Sequence, residues 1–350
     1  MSEVYQHLYQ VLQRRMGPGG DLAPSSPYAT TQTHMAANLW SSERRQLHRA
    51  ILDQFKAEYG NRPRDGHAVL LTAGAPGAGK GTAQDNLKLW QGQDSEIGRA
   101  LAAAHGVNLD DYVPLDPDQF KVAIFEHGGL PQLDPALTAL PFGRELTPSE
   151  MSSLIHAESA VLQDNFELWA RSQGYNLLYD ATLKNLDKNT QLLGDLSATG
   201  YGQRVILSVE VPLEQCLAQN ADRWQKGRIK YENGDDHYGG RMAPEDMIKN
   251  LYAQSATGRG YSIGRENAER LADKGLATGL IATERGTFNA AATTTSSQAT
   301  VFRQGETTLS IAAAGRLRST QGTATPTTPP AQTTAPTLPR QTPPAPGRTR

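Results

Sequence analysis

Nine consecutive residues, Gly74-Ala75-Pro76-Gly77-Ala78-Gly79-Lys80-Gly81-Thr82, have the make-up of a cradle for polyphosphate. Their glycines let successive backbone N–H groups turn inward around phosphate oxygens. A following helix adds its favourable dipole, and Lys80 supplies a point charge for the β- and γ-phosphates. The apolar run 68–73 comes before the loop and a stretch that reads as helix, 82–90, comes after it, which is the strand, loop, helix context such a cradle requires. A glycine-rich turn with a surface lysine is the alternative, and this context counts against it. One position departs from the common pattern, because Gly81 follows Lys80 and the hydroxyl arrives one place later, at Thr82. The displaced hydroxyl leaves Thr82 and Asp116 as the candidate ligands for Mg²⁺.

Two further strand ends carry carboxylates. The short apolar run 112–115 ends in Asp116-Pro117-Asp118-Gln119-Phe120-Lys121, and the run 175–179 ends in Asp180-Ala181-Thr182. Residues 204–211 read as another strand and 275–283 as a last one. Apolar strands alternating with amphipathic helices predict an α/β three-layer sandwich on a mainly parallel sheet. Ligands in such sheets sit at the carboxyl ends of the strands. The phosphate loop, Asp116 with Asp118, and Asp180 with Thr182 should therefore converge on one cleft.

The helix between the second and third strands is the best-marked element. Thr147-Pro148-Ser149-Glu150 combines a capping box with proline at the first helical position, predicting a start there. Glu158 falls within its apolar stripe, where an unpaired carboxylate is costly, so two readings stand: a structural ion pair, or a group lining a wet cleft. His156 lies off that stripe and is expected to be exposed. A helix over 213–226 turns Leu213, Cys216, Leu217, Asn220 and Trp224 inward, with Arg223 at the edge of that face. The polar, glycine-rich stretch 227–241 after it has the composition of a mobile lid, and an arginine carried by a lid can reach a transferring phosphate.

At the N-terminus, Val4, Leu8, Leu12 and Met16 form one helical face that Gly17-Pro18-Gly19-Gly20 stops, and a second helix is expected over 42–59. These helices, 1–66, read as an accessory region ahead of a kinase-like domain at 67–290. From 291 to 350 the chain is low in complexity, rich in Thr and Pro and free of Asp or Glu after Glu306, which reads as a basic, disordered tail. The formal net charge of −2 gives no general attraction to nucleic acid or to an anionic membrane. No apolar run is long enough to span a bilayer, and the first sixteen residues are unlike a secretory signal. Cys216 is the only cysteine, so no intrachain disulfide can form. These features fit a reducing compartment, the cytoplasm, and leave export by a route without a cleaved signal open.

Taken in order, the motifs resemble the zeta toxin family, P-loop kinases of toxin–antitoxin systems, over about residues 67–290. The resemblance rests on the loop 74–82, Asp116 to Lys121, His156-Ala157-Glu158-Ser159, Gly174-Tyr175-Asn176-Leu177-Leu178-Tyr179-Asp180-Ala181-Thr182, and Arg223 with Arg241. It implies transfer of the γ-phosphoryl group of ATP or GTP, with Mg²⁺, to the 3′-hydroxyl of UDP-N-acetylglucosamine. Such transfer starves the cell wall of precursor, and a small antitoxin partner blocks nucleotide entry. By the same resemblance Asp118 is the base on the sugar hydroxyl, and Glu158, Asp180 and Thr182 hold the nucleotide sugar. Lys80, Arg223 and Arg241 stabilise the transferring group. Three features depart from the family's pattern: Gly81, a longer segment over 91–111, and Asp180 in place of a more usual glutamate.

Two alternatives remain at this stage. One is a related P-loop phosphotransferase with a different hydroxyl acceptor; a polynucleotide end is disfavoured by the absence of a basic stripe. The other is a nucleotide-binding interaction protein that works through its proline-rich tail.

Overall fold

In the computed structural model, β1 (Ala68–Ala73) is buried on both faces, as an uninterrupted apolar run demands of a central strand. The structure describes residues 2–65, 67–104, 106, 108–288, 300–304 and 306–312, all within one compact unit, 1–318. Strand β1 pairs in parallel with β3 (Asn176–Tyr179) on one side and β4 (Gln203–Glu210) on the other. Outside β3 lies β2 (Tyr112–Leu115), and outside β4 lies β5 (Gly279–Arg285), both parallel to their neighbours. An antiparallel hairpin, β6 (Thr300–Gln304) and β7 (Thr307–Ala312), closes the far edge and gives the order β6-β7-β5-β4-β1-β3-β2. The expected mainly parallel α/β sandwich is thus the architecture observed.

Register sets the chemistry. Leu71 stands opposite Tyr179, and Tyr179 opposite Leu115, so β2 and β3 end level and β1 runs two residues further. The segments holding Asp116 and Asp180 and the loop after β1 therefore leave the sheet along one edge.

Period-two alternation in β1 splits the core. Val69, Leu71 and Ala73 face a cluster supplied by α2 (Ser42–Tyr59), α5 (Pro117–Glu126), α6 (His156–Ser172), α7 (Leu186–Ala198) and α10 (Ile263–Asp273). Ala68 and Leu70 face a second cluster from α3 (Lys80–Gln91), α4 (Glu96–Ala104), α8 (Leu213–Glu232) and α9 (Glu245–Ala253). Helix α4 lies within the segment 91–111, and it buries Ile97 and Leu101 against this face. A third, smaller cluster joins Leu8, Leu12 and Met16 of α1 (Glu3–Met16) to Leu140, Leu154 and Trp224. No helix among the described residues is long and apolar enough to cross a membrane.

Three expectations are corrected. The capping box at Thr147 and Glu150 is present, but Pro148–Ile155 winds as a 3₁₀ helix and the α-helix begins only at His156. Within that turn Ser149 donates to the Gly240 carbonyl, and Glu150 takes bonds from Trp224 and Arg228, so both side chains are committed to distant partners.

The stretch 227–241 is no lid. Helix α8 runs through to Glu232, Arg228 is buried against Glu150, and a Cβ on Gly240 would lie 2.1 Å from the Trp224 carbonyl oxygen. Gly227, Gly239 and Gly240 permit close packing where a lid would need glycines for freedom.

The boundary at 290 cuts through the sheet, because Leu309 and Ile311 of β7 are buried in the second cluster. Apart from the residues of β6, β7 and their turn that are named above, the expected tail lies outside the described residues.

Candidate active site

Gly74, Gly77 and Gly79 all adopt positive φ, at 152°, 93° and 91°, which only glycine takes without strain. Two of them also meet backbone: a Cβ on Gly74 would lie 2.5 Å from the Val209 carbonyl oxygen, and one on Gly77 2.5 Å from that of Cys216. The buried Cys216 thiol donates to the Pro76 carbonyl at 3.0 Å. The phosphate loop is thereby seated on β4 and α8, and Gly79 is the N-cap of α3. The free N–H groups at that helix start face the loop's concavity.

Lys80 folds back over the loop. Its Nζ donates to the Gly74 carbonyl at 3.1 Å and stands 3.7 Å from Asp180 Oδ1. Thr72, in the last turn of β1, fixes that carboxylate: its hydroxyl donates to Asp180 Oδ1 at 2.9 Å and accepts from the Ala181 N–H at 2.9 Å.

Asp116 and Asp118 sit at the start of α5 in opposite electrostatic settings. Asp116 is the N-cap and accepts from the Asp118 N–H at 2.8 Å. Burial, reinforced by the charges of Asp180 and Asp118, pushes its carboxyl up to about 6. Asp118 is ion-paired to Lys121 at 2.8 Å through Oδ1 and to Arg241 at 3.0 Å through Oδ2. Burial opposes its ionisation, but the two cations outweigh burial and hold it well below the usual carboxylate range. Arg223 reaches the same group from α8. Burial and neighbouring Arg241 lower its basicity, and Asp118 and Asp180 partly offset them. His156 is exposed as expected; partial desolvation by the surrounding protein and the charge of Lys121 lower its pKa, Asp118 opposes them, and Lys184 adds to the lowering.

Two cavities flank this group. One, of about 280 Å³, lies between α2 and α5 and is lined by Phe55, Glu58, Tyr59, Asp118, Glu126 and Arg241, among others. The other, of about 430 Å³, adjoins the phosphate loop and is lined by Gly79, Thr82, Trp90, Gln219, Arg285 and Thr307, among others. On its floor Glu210 ends β4 and accepts from the Ser262 N–H at 3.0 Å and hydroxyl at 2.7 Å. Burial pushes the Glu210 carboxyl up to about 7.

The structure thus brings Lys80, Asp116, Asp118, Asp180, Arg223 and Arg241 together. Thr182 borders the group through its backbone, since a Cβ on Gly264 would lie 2.3 Å from the Thr182 carbonyl oxygen and 3.4 Å from the Gly74 nitrogen.

Glu158 is not brought there. Its side chain is fully buried, with Arg44 at 2.5 and 2.7 Å and His48 at 2.6 Å. Of the two readings, the structural ion pair is the one realised.

Sequence reasoning missed Thr72 and Lys121. Thr72 is the one hydroxyl in an otherwise apolar strand next to the loop, and Lys121 stands one helical turn after Asp118, so both left a readable trace.

Among the described residues, no three carboxylate, histidine or cysteine side chains are grouped so as to hold a metal ion by themselves. Mg²⁺ at a phosphoryl-transfer site needs only one or two protein oxygens besides phosphates and water. Asp116, raised by neighbouring carboxylates, and Thr82, which lines the larger cavity, each offer one oxygen of the kind such a site uses.

The family model described as Zeta toxin matches residues 53–258. Among curated proteins none matches the sequence. Similar solved structures include the AvrRxo1-ORF1:AvrRxo1-ORF2 complex with sulphate ions, at 19% identity and a TM-score of 0.43, over 76% of this chain and 71% of that one. Another comes from the PezAT chromosomal toxin–antitoxin system of Streptococcus pneumoniae, at 15% identity and a TM-score of 0.45, over 71% of this chain and 79% of that one.

Proposed function

This chain belongs to the zeta toxin family, and from that premise we propose that it transfers the γ-phosphoryl group of ATP or GTP to a hydroxyl, that of the 3′ position of UDP-N-acetylglucosamine. One observation carries the reading: the loop lysine stands 3.7 Å from a strand-end carboxylate, and the same edge presents Asp118 between two cations. The backbone of residues 74–82 holds the β- and γ-phosphates, with Lys80 turning from Gly74 and Asp180 to the γ-phosphate. The larger cavity takes the nucleoside.

Asp118 accepts the hydroxyl proton as the acceptor oxygen forms its bond to the γ-phosphorus. The bond from that phosphorus to the bridging oxygen breaks, and the nucleoside diphosphate leaves with the electron pair. Both Asp118 oxygens are hydrogen-bonded, yet each retains a lone pair, and 35% of the side chain is exposed, against none of Glu158. A loose transition state asks little basicity of this group and much of its position. Arg241 and Arg223 neutralise charge on the transferring oxygens. Thr82 and Asp116 would hold Mg²⁺, which when bound neutralises the β- and γ-phosphate oxygens. A small antitoxin that covers the nucleotide cavity is the partner this reading implies.

The test is incubation with ATP, Mg²⁺ and UDP-N-acetylglucosamine followed by mass spectrometry. A sugar nucleotide heavier by one phosphoryl group, absent with Asp118→Asn, is the expected product. An untouched sugar nucleotide overturns the acceptor assignment.

Two observations favour a second reading, the same transfer to a different hydroxyl. Glu158 is sealed away from substrate, and the cavity beside Asp118 carries Glu58 and Glu126, which repel a diphosphate. A phosphorylated metabolite other than the sugar nucleotide, found in a cell extract, would establish it.

A further inference from the structure

Arg241 reaches Asp118 from an irregular segment, 233–244, that joins α8 to α9, so something must hold that segment against the phosphate loop. Asn220 does so from α8. It is fully buried, and its amide meets both backbone groups of Ala243: Nδ2 donates to the carbonyl at 3.0 Å and Oδ1 accepts from the N–H at 3.0 Å. The other side of Asn220 touches the phosphate loop, where a Cβ on Gly77 would lie 3.3 Å from Asn220 Cβ.

The N-terminal helix completes the arrangement. Tyr9 Oη lies 3.1 Å from Asn220 Nδ2 and accepts from it. Gln13 Nε2 donates to the Ala243 carbonyl at 3.2 Å, and Gln13 Oε1 accepts from the Glu245 N–H at 2.8 Å. Both side chains come from residues 1–52, which lie outside the stretch that the family model matches.

We propose that Asn220, Gln13 and Tyr9 are positioning residues that fix Arg241 relative to the phosphate loop, and that α1 is thereby part of the catalytic apparatus. The catalytic consequence rests on the phosphotransferase reading above; the structural clamp does not. A side chain bonded to both backbone groups of one residue fixes the distance and the orientation of the chain there, and the reacting geometry inherits that precision. Arg241 is two residues from the clamped Ala243.

Asn220→Ala removes three buried bonds and risks the fold itself, so the deciding variant combines Gln13→Ala, at a half-buried position, with Tyr9→Phe, which keeps the ring of a buried side chain, in the full chain. Two readouts are taken: γ-phosphoryl transfer from ATP, and amide hydrogen exchange over 233–245. The expected result is a turnover loss of about 10–100-fold with nucleotide affinity unchanged, together with faster exchange at the Ala243 and Glu245 amides. In an Arg241→Ala background the pair should then cost no further turnover, because its effect runs through that arginine. Wild-type exchange in the double variant, or an equal further loss without Arg241, overturns the proposal. A wild-type protein that transfers nothing to any acceptor would overturn the phosphotransferase reading, and exchange at those two amides would still decide the clamp.

Discussion

Asp116 and Asp118 are two residues apart, and their surroundings push them in opposite directions. Asp116 binds its proton more tightly in the fold than in the unfolded chain, so its contribution to stability is full below its ordinary value of 3.8 and is lost as pH rises through about 6. Asp118 has the reverse sign: its contribution is present above the ordinary value and disappears on acidification. Asp116→Asn keeps an acceptor for the Asp118 N–H and removes the charge. Relative to wild type, the variant should therefore gain stability by about 1–3 kcal/mol between pH 4 and pH 7 in denaturant unfolding. A difference that does not change with pH would show that Asp116 carries no such strain. At Glu158 the sequence marked a carboxylate within an apolar stripe and left an ion pair and a wet cleft both open; it could not name the partner, since Arg44 lies 114 residues away and no spacing rule reaches that far. Arg44→Ala leaves that carboxylate buried with one cation fewer, and a loss of about 3–5 kcal/mol is expected. If Glu158→Gln instead abolishes transfer at unchanged stability, Glu158 is a substrate ligand after all.

At the scale of elements, the strand and helix pattern of the chain was legible where apolar periodicity was strong. Helices at 3–16 and 42–59 fall where the stripes of Leu8 with Leu12 and of Ile51 with Phe55 put them. Glycine-rich stretches were less readable, because composition does not tell a glycine that moves from one that packs. Gly227 and Gly240 touch each other, with a Cβ on Gly227 only 2.3 Å from Gly240 Cα. Gly240→Ala should consequently displace the segment that carries Arg241 and cost about 1–3 kcal/mol, read by thermal unfolding. Trypsin offers a second check on the native protein, since Arg228 and Lys230 lie within α8 and should resist cleavage on the timescale in which a mobile lid is cut. Rapid cleavage at these two residues would restore the lid.

For the whole molecule, alternation of strands and helices announced the parallel sheet, and its register then brought the loop lysine and three carboxylates to one edge. The sheet's far edge was not legible, because β6 and β7 are rich in Thr and follow a polar, alanine-rich run that reads as unpacked chain. Only the alternation of Leu309 and Ile311 marks β7, and a two-residue signal is weak against that background. Leu309→Ala should lower stability by about 2–5 kcal/mol if β7 is part of the cooperative unit. An effect near zero would return the hairpin to the tail. The central claim, that this edge transfers a phosphoryl group, is tested most directly by supplying ATP labelled at the γ-phosphate, with Mg²⁺ and a total metabolite extract. Label should pass into a stable phosphorylated compound with the wild type. It should not do so with Asp118→Asn, which still binds nucleotide, or with Lys80→Ala, which does not. Equal labelling by wild type and Asp118→Asn, or label released only as inorganic phosphate, would contradict the account.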